Sequence, residues 1–483
     1  MTGRRPTGLP VVVVGAGPVG LAAGAHLSDR GLPFVVLEAG GSVGAAVREW
    51  GHVRTFTPWR YLVDPAAERL LAADGWSRPD TAVPPTGAEL AELYLEPLAA
   101  VLGDRVRLRQ RVVSVTRDGL DRSSSLRRDE HPFLLRVAGP GGTVTELRAS
   151  AVIDASGTWS RPNPLGASGL PALGEAEAAR FVVGPLPDVL GRDRARFAGR
   201  STLVVGAGHS AANTLLALGR LAAQEPGTQV RWAVRAATPA RVYGGGEADE
   251  LAERGALGSD LRRLVGSGAV ELVAGFSVGA VEVDGDTVTV VGRTSAGERR
   301  LEGLHQVAAA TGFRPDLGML SELRLDLDPG LEAPRALGPL VDPAHHSCGT
   351  VSPHGHRELA HPEPGLYVVG MKSYGRAPTF LVTTGNEQVR SVVAALAGDV
   401  AAADAVELVL PETGVCSAGA GGADPAGAGG CCGSAAPDQA VVPPEAHRAL
   451  PEGVPAQGFA SGLPGGGQVA LLALPDGGGC CTG

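Results

Sequence analysis

Short runs of apolar residues recur along the chain, and several are followed by a stretch with helical periodicity. A continuous run of about four to eight apolar residues, rich in β-branched types, is typical of a strand buried on both faces of a parallel sheet. Such runs occur at residues 11–14, 34–37, 151–157, 201–205, 230–234, 307–310 and 365–370. Because helical patterns at residues 21–27 and 213–223 separate some of these runs, the sequence predicts an α/β fold with parallel sheets.

The first run leads directly into a glycine motif of the form G-x-G-x-x-G. Gly15 allows the tight turn, Gly17 lets the backbone approach a pyrophosphate, and Gly20 lets the following helix pack on the strand. The N-terminus of that helix then faces the phosphate charge. Glu38 ends the next apolar run, 18 residues after Gly20, where an acid accepts a hydrogen bond from a ribose 2′-hydroxyl. This order of elements predicts a dinucleotide-binding unit.

A second copy of the motif follows the run at residues 201–205. Gly206, Gly208 and Ala211 occupy the three motif positions, and a helical pattern follows them. No acid ends the next strand, and the basic residues of that region are Arg231, Arg235 and Arg241. Because an arginine can hold a 2′-phosphate, the second unit is predicted to prefer NADPH to NADH. The alternative interpretation is that these arginines are simply solvated.

The remaining patterns predict the elements around the two units. Further strands are expected at residues 106–115, 133–137, 144–147 and within 270–291. An exposed loop is expected at residues 118–131, and helices are expected from residue 87 and over residues 380–396. The last of these strand regions contains an Asp-Gly turn typical of a hairpin. The run at residues 151–157 ends in Ser156 and Gly157, small residues that let a backbone approach a cofactor. Regular structure is predicted to end near Gly398.

Composition excludes several classes of protein. The net charge of −9 argues against a nucleic-acid-binding surface. Basic residues are almost all arginine, and Lys372 is the only lysine. No apolar run approaches the roughly 18 residues of a membrane span, so we expect a cytosolic protein. None of the six cysteines lies in a C-x-x-C motif or in the first 347 residues, which argues against a disulfide framework.

Five features together resemble a known family. The first glycine motif, residues 155–157 (ASG), the second motif, residues 310–315 (ATGFRP) and residues 365–370 (GLYVVG) occur in the order found in flavoproteins with two dinucleotide-binding domains. The chain most resembles the flavin-containing and Baeyer–Villiger-type monooxygenases, over about residues 9–398. Residues 85–95 and 107–115 resemble the helix and strand after the FAD motif of that family, and residues 156–164 resemble its proline turn. The FxGxxxHxxxW-type signature of flavin-containing monooxygenases is missing.

The resemblance implies FAD and NADPH as cofactors and assigns residues to each. FAD would be held by Gly15, Gly17, Gly20 and Glu38, and NADPH by Gly206, Gly208, Ala211 and Arg235. The other cofactor-binding residues that it implies are Val113, Ser156, Gly157, Thr311, Gly312, Gly370 and Met371. Met371 departs from the Gly-Asp pair that relatives with the disulfide-reductase layout usually carry at this point.

The resemblance also implies the domain organisation. A discontinuous Rossmann-like FAD domain would comprise residues 1–165 and 305–400, and a Rossmann-like NADPH domain would be inserted at residues 166–304. Residues 401–483 are rich in Gly, Ala and Pro and are expected to form a disordered tail. The aromatic-rich segment at residues 50–71, which contains Trp59, Arg60 and Tyr61, would either line a flavin and substrate cavity or pack as a loop over the sheet.

The chemistry implied by the resemblance is that of a monooxygenase. NADPH would reduce FAD, the reduced flavin would react with O2, and a flavin C4a-peroxide would pass oxygen to a small-molecule substrate. The protein would orient the cofactors and exclude water, and no catalytic side chain is identified. The alternatives are a pyridine-nucleotide-dependent reductase of thiols, disulfides or metal(loid)s that uses tail cysteines, a peroxide-forming NADPH oxidase, and a non-catalytic metalloid-binding protein. The predicted FAD-side helix lacks a cysteine pair, which disfavours the disulfide reductase.

Cysteines of the tail suggest a soft ligand. Adjacent thiolates can bind one soft cation, and the pairs are Cys431 with Cys432 and Cys480 with Cys481. A monooxygenase-like body with such a tail resembles the flavoproteins of actinobacterial arsenic-resistance clusters, which implies capture of arsenite or another thiophilic metalloid. The alternative is an extension without function. Five histidines and Cys348 at residues 345–361 form either a metal site or a loop that reaches the flavin.

Overall fold

Two parallel five-stranded sheets organise the part of the chain that the structure, a computed structural model, describes. That part comprises residues 8–79, 83–244, 252–343, 351–378 and 380–408. It lies within Met1–Gly421, the first of the two units into which the chain divides. In chain order the strands are β1 (Val11–Val14), β2 (Phe34–Leu37), β3 (Val106–Arg107), β4 (Arg111–Arg117), β5 (Phe133–Ala138), β6 (Val144–Ala149), β7 (Ala151–Asp154), β8 (Val182–Val183), β9 (Ser201–Val205), β10 (Gln229–Ala233), β11 (Glu271–Val273), β12 (Ser277–Asp284), β13 (Thr287–Thr294), β14 (Gly297–Leu304), β15 (Gln306–Ala309) and β16 (Leu366–Val368).

Helices lie between these strands and after the last of them. In chain order they are α1 (Pro18–Asp29), α2 (Ala45–Glu49), α3 (Pro65–Ala73), α4 (Gly87–Leu90), α5 (Glu96–Leu102), α6 (Arg194–Phe197), α7 (His209–Gln224), α8 (Ala240–Tyr243), α9 (Ala252–Gly266), α10 (Gly338–Val341), α11 (Val382–Leu396) and α12 (Val400–Asp404). The predicted helix at residues 380–396 is thus α11, which begins at Val382.

The first parallel sheet is the middle of three layers. Its strand order is β16-β7-β1-β2-β3, and every pair in it is parallel. One face packs against α1, α3, α5 and α11 through side chains such as Val11, Val13 and Ile153. Val12, Val14 and Val152 point to the other face and pack against the antiparallel sheet β4-β5-β6. Burial on both faces explains why these strands are continuously apolar.

The second parallel sheet repeats this arrangement. Its order is β11-β10-β9-β15-β8, again with parallel pairs throughout. Val204, Val230 and Trp232 face α7 and α9. Leu203 and Val205 face the antiparallel sheet β12-β13-β14, which contains the predicted Asp-Gly hairpin. The predicted α/β fold with two Rossmann-like sheets is confirmed for the described residues. The predicted disordered tail, residues 401–483, lies outside them except for residues 401–408.

Strand β15 shows where the chain leaves the second sheet. The sequence places the return to the first domain at residue 305. In the structure Gln306–Ala309 pair in parallel with β9 and belong to the second sheet. The return to the first sheet therefore lies beyond Ala309.

The prediction of one strand over residues 106–115 is wrong, because the segment divides between two sheets. Val106–Arg107 pair with β2 in the first parallel sheet, and Arg111–Arg117 pair with β5 in the antiparallel sheet. Arg109 lies between them with φ of 54°, a left-handed conformation that no continuous strand contains. Alternating polarity on both sides of this break concealed it in the sequence.

The predicted helix from residue 87 contains a π-turn. Its start has a capping box, in which Thr86 and Glu89 bond each other's backbone N–H groups. The helix then widens at Ala91–Leu95 before α5 begins. Pro97 in α5 has no N–H group to donate, and the carbonyl of Leu93, four residues earlier, accepts instead from the indole of Trp76 at 2.9 Å.

One further prediction needs correction, and one alternative that the sequence leaves open gains support. Regular structure does not end near Gly398, because α12 follows and is bonded to α11 by Ser391 Oγ and by the guanidinium of Arg390. In the aromatic-rich segment, Trp59 is buried in the helical layer, which supports the interpretation as a loop packed over the sheet. The guanidinium of Arg60 lies 4.7 Å from the centre of the Tyr61 ring.

The loop at residues 118–131 is only partly exposed, because a buried ion cluster holds it. Glu363, which precedes β16, accepts from Arg128 Nε of the loop at 2.7 Å and from Arg117 Nε of β4 at 3.0 Å. The carboxylate of Glu363 is fully buried. It also accepts from the backbone N–H of Arg324. One carboxylate therefore joins the antiparallel sheet, its loop and the segment that leads into β16.

We expect Glu363→Gln to lower the free energy of unfolding by about 3 kcal/mol or more, because two buried guanidinium groups lose their counter-charge. Urea denaturation of the purified full-length protein measures this. Glu282→Gln is the matched control, since the Glu282–Arg300 pair is exposed and is expected to leave the denaturation midpoint unchanged. Equal effects of the two substitutions would contradict the role of the buried cluster.

Candidate functional site

The first glycine motif lies at the carboxyl end of β1 and has the shape of a dinucleotide loop. Gly15 has φ of 100°, and a Cβ on it would lie 2.8 Å from the carbonyl oxygen of Ala155. A Cβ on Gly20 would overlap the carbonyl of Gly15. A Cβ on Gly17, in contrast, would meet no atom within 4 Å. Two glycines are thus required by protein packing, and Gly17 faces open space at the N-terminus of α1, where a pyrophosphate fits.

Glu38, directly after β2, holds this loop. Its carboxylate oxygens accept from the backbone N–H groups of Ala16 and Gly40, each at 2.7 Å. A carboxylate has about four acceptor positions, so capacity remains for a ribose hydroxyl. Glu38 therefore fits the role that the sequence assigns to it and in addition connects the glycine loop to the end of β2.

The carboxyl ends of β7 and β16 complete the same edge and contain a buried ion pair. Lys372 Nζ lies 2.6 Å from Asp154 Oδ2 and donates to Ser156 Oγ at 3.0 Å. Ser156 in turn donates to Asp154 Oδ1 at 2.6 Å. Ser156 is exposed, and Gly157 beside it has φ of 70° with open space where a Cβ would be. The two predicted cofactor-binding residues thus lie on top of the ion pair.

Gly370 and Met371 follow β16, and their predicted position beside FAD remains a prediction. The backbone N–H of Gly370 donates to Gln388 Oε1 of α11 at 2.7 Å, so an internal partner uses this donor. Gln388 also donates to Ser373 Oγ and to His354 Nε2, each at 2.9 Å. Met371 is half-buried. The network fixes the connection between β16 and α11, and sequence reasoning missed Gln388 because no motif marks it.

His354 is a neutral member of this network. Its Nδ1 donates to the carbonyl of Ser352 at 2.9 Å, and its Nε2 accepts from Gln388. Burial lowers the pKa of His354 below its ordinary value. Burial likewise lowers the pKa of His361, whose Nδ1 accepts from the backbone N–H of Asp326. His356 pairs instead with Asp404.

A metal site is not formed by the described members of the histidine cluster, because His354, His356 and His361 have separate partners. No group of three or more His, Cys, Asp or Glu residues able to hold a metal occurs within the described ranges. His345, His346 and Cys348 lie outside them, as do the predicted tail ligands Cys431, Cys432, Cys480 and Cys481.

The second glycine motif has the same geometry at the carboxyl end of β9. Gly206 has φ of 136°, and a Cβ on it would overlap the carbonyl of Ala310. Its own carbonyl accepts from the indole of Trp232 at 2.8 Å. Gly208, at the N-terminus of α7, would place a Cβ in open space, and Ala211 is fully buried in the helix. The second edge is therefore also shaped to receive a pyrophosphate.

The predicted arginine cluster is dispersed. Arg235 is exposed just beyond the carboxyl end of β10, where it donates to the carbonyl of Ala167 at 3.3 Å. Arg231 lies within the strand and pairs with Glu271 at 3.2 Å. Among the described side chains of this group, Arg235 alone lies at the ligand-binding edge; the side chain of Arg241 is outside the described set.

Thr311 and Gly312 lie where the two chain crossings between the sheets meet. Thr311 Oγ1 donates to the carbonyl of Asn163 at 2.6 Å, and the backbone N–H of Asn163 donates to the carbonyl of Gly312. The two chain crossings between the sheets thus run side by side. Phe56, from the first half, lies with its ring centre 5.0 Å from that of His209 at the start of α7. The predicted contact of Thr311 and Gly312 with cofactors remains a prediction.

Val113 lies on β4 and is 42% exposed, at an irregularity of the pairing with β5. Its predicted cofactor contact also remains a prediction.

A cavity of about 650 Å³ is lined by Arg180, Arg200, His305 and others at the amino ends of β9 and β15, away from both glycine loops. A cleft of about 310 Å³ lies between Glu49 and Trp159 on one side and residues 182–187 on the other.

Comparison with known proteins gives a partial family match. Residues 12–130 match the sequence model described as pyridine nucleotide-disulphide oxidoreductase, which includes the first glycine motif and Glu38. No curated protein matches the chain significantly. Within the described ranges, no helix is long and apolar enough to cross a membrane.

Solved structures of both predicted classes have a similar fold. Bacillithiol disulfide reductase from Bacillus cereus is 18% identical with a TM-score of 0.58, over 81% of this chain and 99% of that one. The FAD-bound cadaverine monooxygenase of the desferrioxamine pathway from Erwinia amylovora is 15% identical with a TM-score of 0.55, over 81% and 95%. An ornithine N-hydroxylase from Kutzneria sp. 744, solved with reduced FAD, NADP⁺ and L-ornithine, is 18% identical with a TM-score of 0.52, over 82% and 98%. These similarities show the fold.

Proposed function

We propose that this chain is an FAD-dependent, NADPH-consuming oxidoreductase of the monooxygenase type. The observation that carries the proposal is the pair of glycine loops, each at the carboxyl edge of a parallel sheet and each with one glycine that faces open space. The first loop, with Glu38, would hold FAD, and the second, with Arg235, would hold NADPH. The family match and the FAD- and NADP-bound structures of similar fold support this assignment.

The domain organisation follows from the same assignment. We propose that the FAD domain comprises the first parallel sheet with β4-β5-β6, and that the NADPH domain comprises the second with β12-β13-β14. Because β15 belongs to the second sheet, the proposed insertion extends to about Ala310. The side-by-side crossings at Asn163 and Thr311 would then be the junction between the domains.

The residues at the proposed FAD edge favour a monooxygenase over a disulfide reductase. A disulfide reductase needs a thiol beside the flavin. At this edge, Val19 of α1 packs against Gly370 and Gly385. No cysteine occurs among the residues that the structure describes. When bound, FAD would accept hydride from NADPH and react with oxygen. The chain's own groups would bind the pyrophosphate, hold the ribose and exclude water.

Substitution of Gly17 and Gly208, the two glycines that face open space, tests whether FAD and NADPH bind at separate sites. We expect Gly17→Ala to weaken FAD binding at least about tenfold and Gly208→Ala to weaken NADPH binding similarly, because each methyl occupies the space for a pyrophosphate. Flavin content and the KM for NADPH measure the two effects. Gly208→Ala should retain full flavin content, and neither variant should lose thermal stability, since each Cβ meets no atom within 4 Å. Loss of both cofactors in either variant would contradict separate sites.

Rapid-mixing kinetics distinguish the three redox alternatives. The full chain and a chain that ends at Leu408, which retains α12, would be reduced anaerobically with NADPH and then mixed with oxygen. A monooxygenase should reoxidise in two phases in both proteins, with a transient spectrum unlike oxidised or reduced FAD. A single phase with one peroxide per NADPH would identify an oxidase. Reduction of an added aromatic disulfide by the full chain alone would identify a reductase that uses tail thiols.

An arsenic-linked role is proposed from the tail cysteines, whose structure lies outside the described residues. Soft metalloids prefer thiolate ligands, and Cys431–Cys432 and Cys480–Cys481 are the adjacent pairs. We expect arsenite to bind the full chain, and the binding to be lost when all four cysteines are replaced by serine. Isothermal titration measures binding, and flavin content serves as the control. Undiminished binding after the four replacements would refute the assignment.

A further inference from the structure

The single lysine of the chain occupies an unusual position. Of 42 basic residues, Lys372 is the one that is not arginine. Its side chain is 1% exposed, and that of its partner Asp154 is fully buried. The ammonium group has two acceptors, Asp154 Oδ2 at 2.6 Å and Ser156 Oγ at 3.0 Å. A lysine ammonium is a compact point charge with three N–H donors, and Asp154 and Ser156 accept from two of them.

The pair lies directly beneath the edge assigned to FAD. Ser156, which bonds both members of the pair, is exposed. Gly15 of the glycine loop packs against the backbone of Ala155 and Ser156, so that a Cβ on Gly15 would lie 3.0 Å from Ser156 Cα. One residue therefore separates the Lys372 ammonium from the loop that would accept the pyrophosphate.

This edge carries carboxylates where an anionic ligand must approach. Asp154 ends β7, and Glu38 follows β2 two strands away. A buried carboxylate without a counter-charge would repel an anionic ligand in surroundings of low dielectric constant. Lys372 supplies the compensating charge for Asp154, whereas Glu38 is compensated by two backbone N–H groups.

We propose that Lys372 is the counter-charge that allows this edge to accept an anionic dinucleotide, by neutralising Asp154 beneath the glycine loop. The inference rests on the proposed assignment of FAD to the first sheet. Lys372 is a positioning residue and not a catalytic one, because it acts through Asp154 and Ser156. Removal of the cation alone should therefore harm FAD binding, whereas removal of the carboxylate alone should not.

Other ionisable groups near this edge have their own partners. Around β7 and β16 these groups are Glu38 after β2 and Glu363 before β16. Glu387 lies on α11, and His354 is bonded to α11 through Gln388. Glu387 pairs with Arg390, and Glu363 pairs with two arginines. All of these groups remain in every variant below, so their own contribution to FAD binding is the same throughout.

The test is FAD titration of the deflavinated full-length protein, followed by flavin fluorescence, in wild type, K372M, D154N and the double variant. K372M should bind FAD at least about tenfold more weakly than wild type at about pH 8.5, because Asp154 is left as an uncompensated buried carboxylate. Adding D154N to K372M should restore binding, because the double variant no longer contains the uncompensated carboxylate. D154N alone should bind FAD at least as tightly as wild type.

If the Lys372–Asp154 pair had a purely structural role, a different result would be expected. K372M and D154N break the same contact, so equal weakening of FAD binding in both would overturn the proposal. A double variant that binds FAD as weakly as K372M would also overturn it. R376M is the matched control, because the Arg376–Glu332 pair is exposed, and its FAD affinity should equal that of wild type.

The outcome remains decisive if K372M does not fold. D154N then tests the proposal alone, since retained or tighter binding is expected and weaker binding overturns it. The proposed function fails separately, if wild type itself does not bind FAD. Wild-type binding with an unchanged K372M would overturn only the counter-charge inference.

Discussion

Close contact between backbone segments at the carboxyl edge of the first sheet is the constraint on which the rest of the site depends. Gly15 packs on Ala155 and Ser156, and Gly20 packs on Gly15, so neither glycine can carry a side chain. The turn and the start of α1 are therefore fixed by this packing together with the Glu38 carboxylate, which accepts from the backbone N–H of Ala16. Gly206 repeats the packing constraint against Ala310 in the second sheet.

The same geometry explains which parts of the molecule could be predicted from the sequence. The buried strands and both glycine loops were predictable because their causes are local, in β-branched runs and fixed spacing. The break at Arg109 and the internal use of the Gly370 N–H were not, because they depend on a second sheet and on Gln388, 18 residues away. Glu363 and Arg117 are 246 residues apart, and no local pattern marks such a pair. Lys372 was visible in the composition, but Asp154 as its partner was not.

The two halves share a backbone plan and differ in the charged residue that lies just beyond their second strand. Each has a parallel sheet between a helical layer and a three-stranded antiparallel sheet. In the first half, Glu38 follows β2 and is held by two backbone N–H groups. In the second half, the exposed Arg235 lies just beyond the end of β10. Since the loops have the same shape, these side chains rather than the fold are what can distinguish a ribose hydroxyl from a ribose phosphate.

Buried carboxylates in this chain are compensated, but not all for the same reason. Glu363 and Glu387 pair with arginines that connect loops and helices, so their positions are explained by architecture. A buried ion pair adds little net stability, because the cost of desolvating both charges offsets their attraction. Asp154 has a local structural role, because its Oδ1 accepts from the backbone N–H and the hydroxyl of Ser156. Nothing comparable in the fold accounts for Lys372, and the feature that distinguishes its position is the open, anion-accepting edge above Ser156.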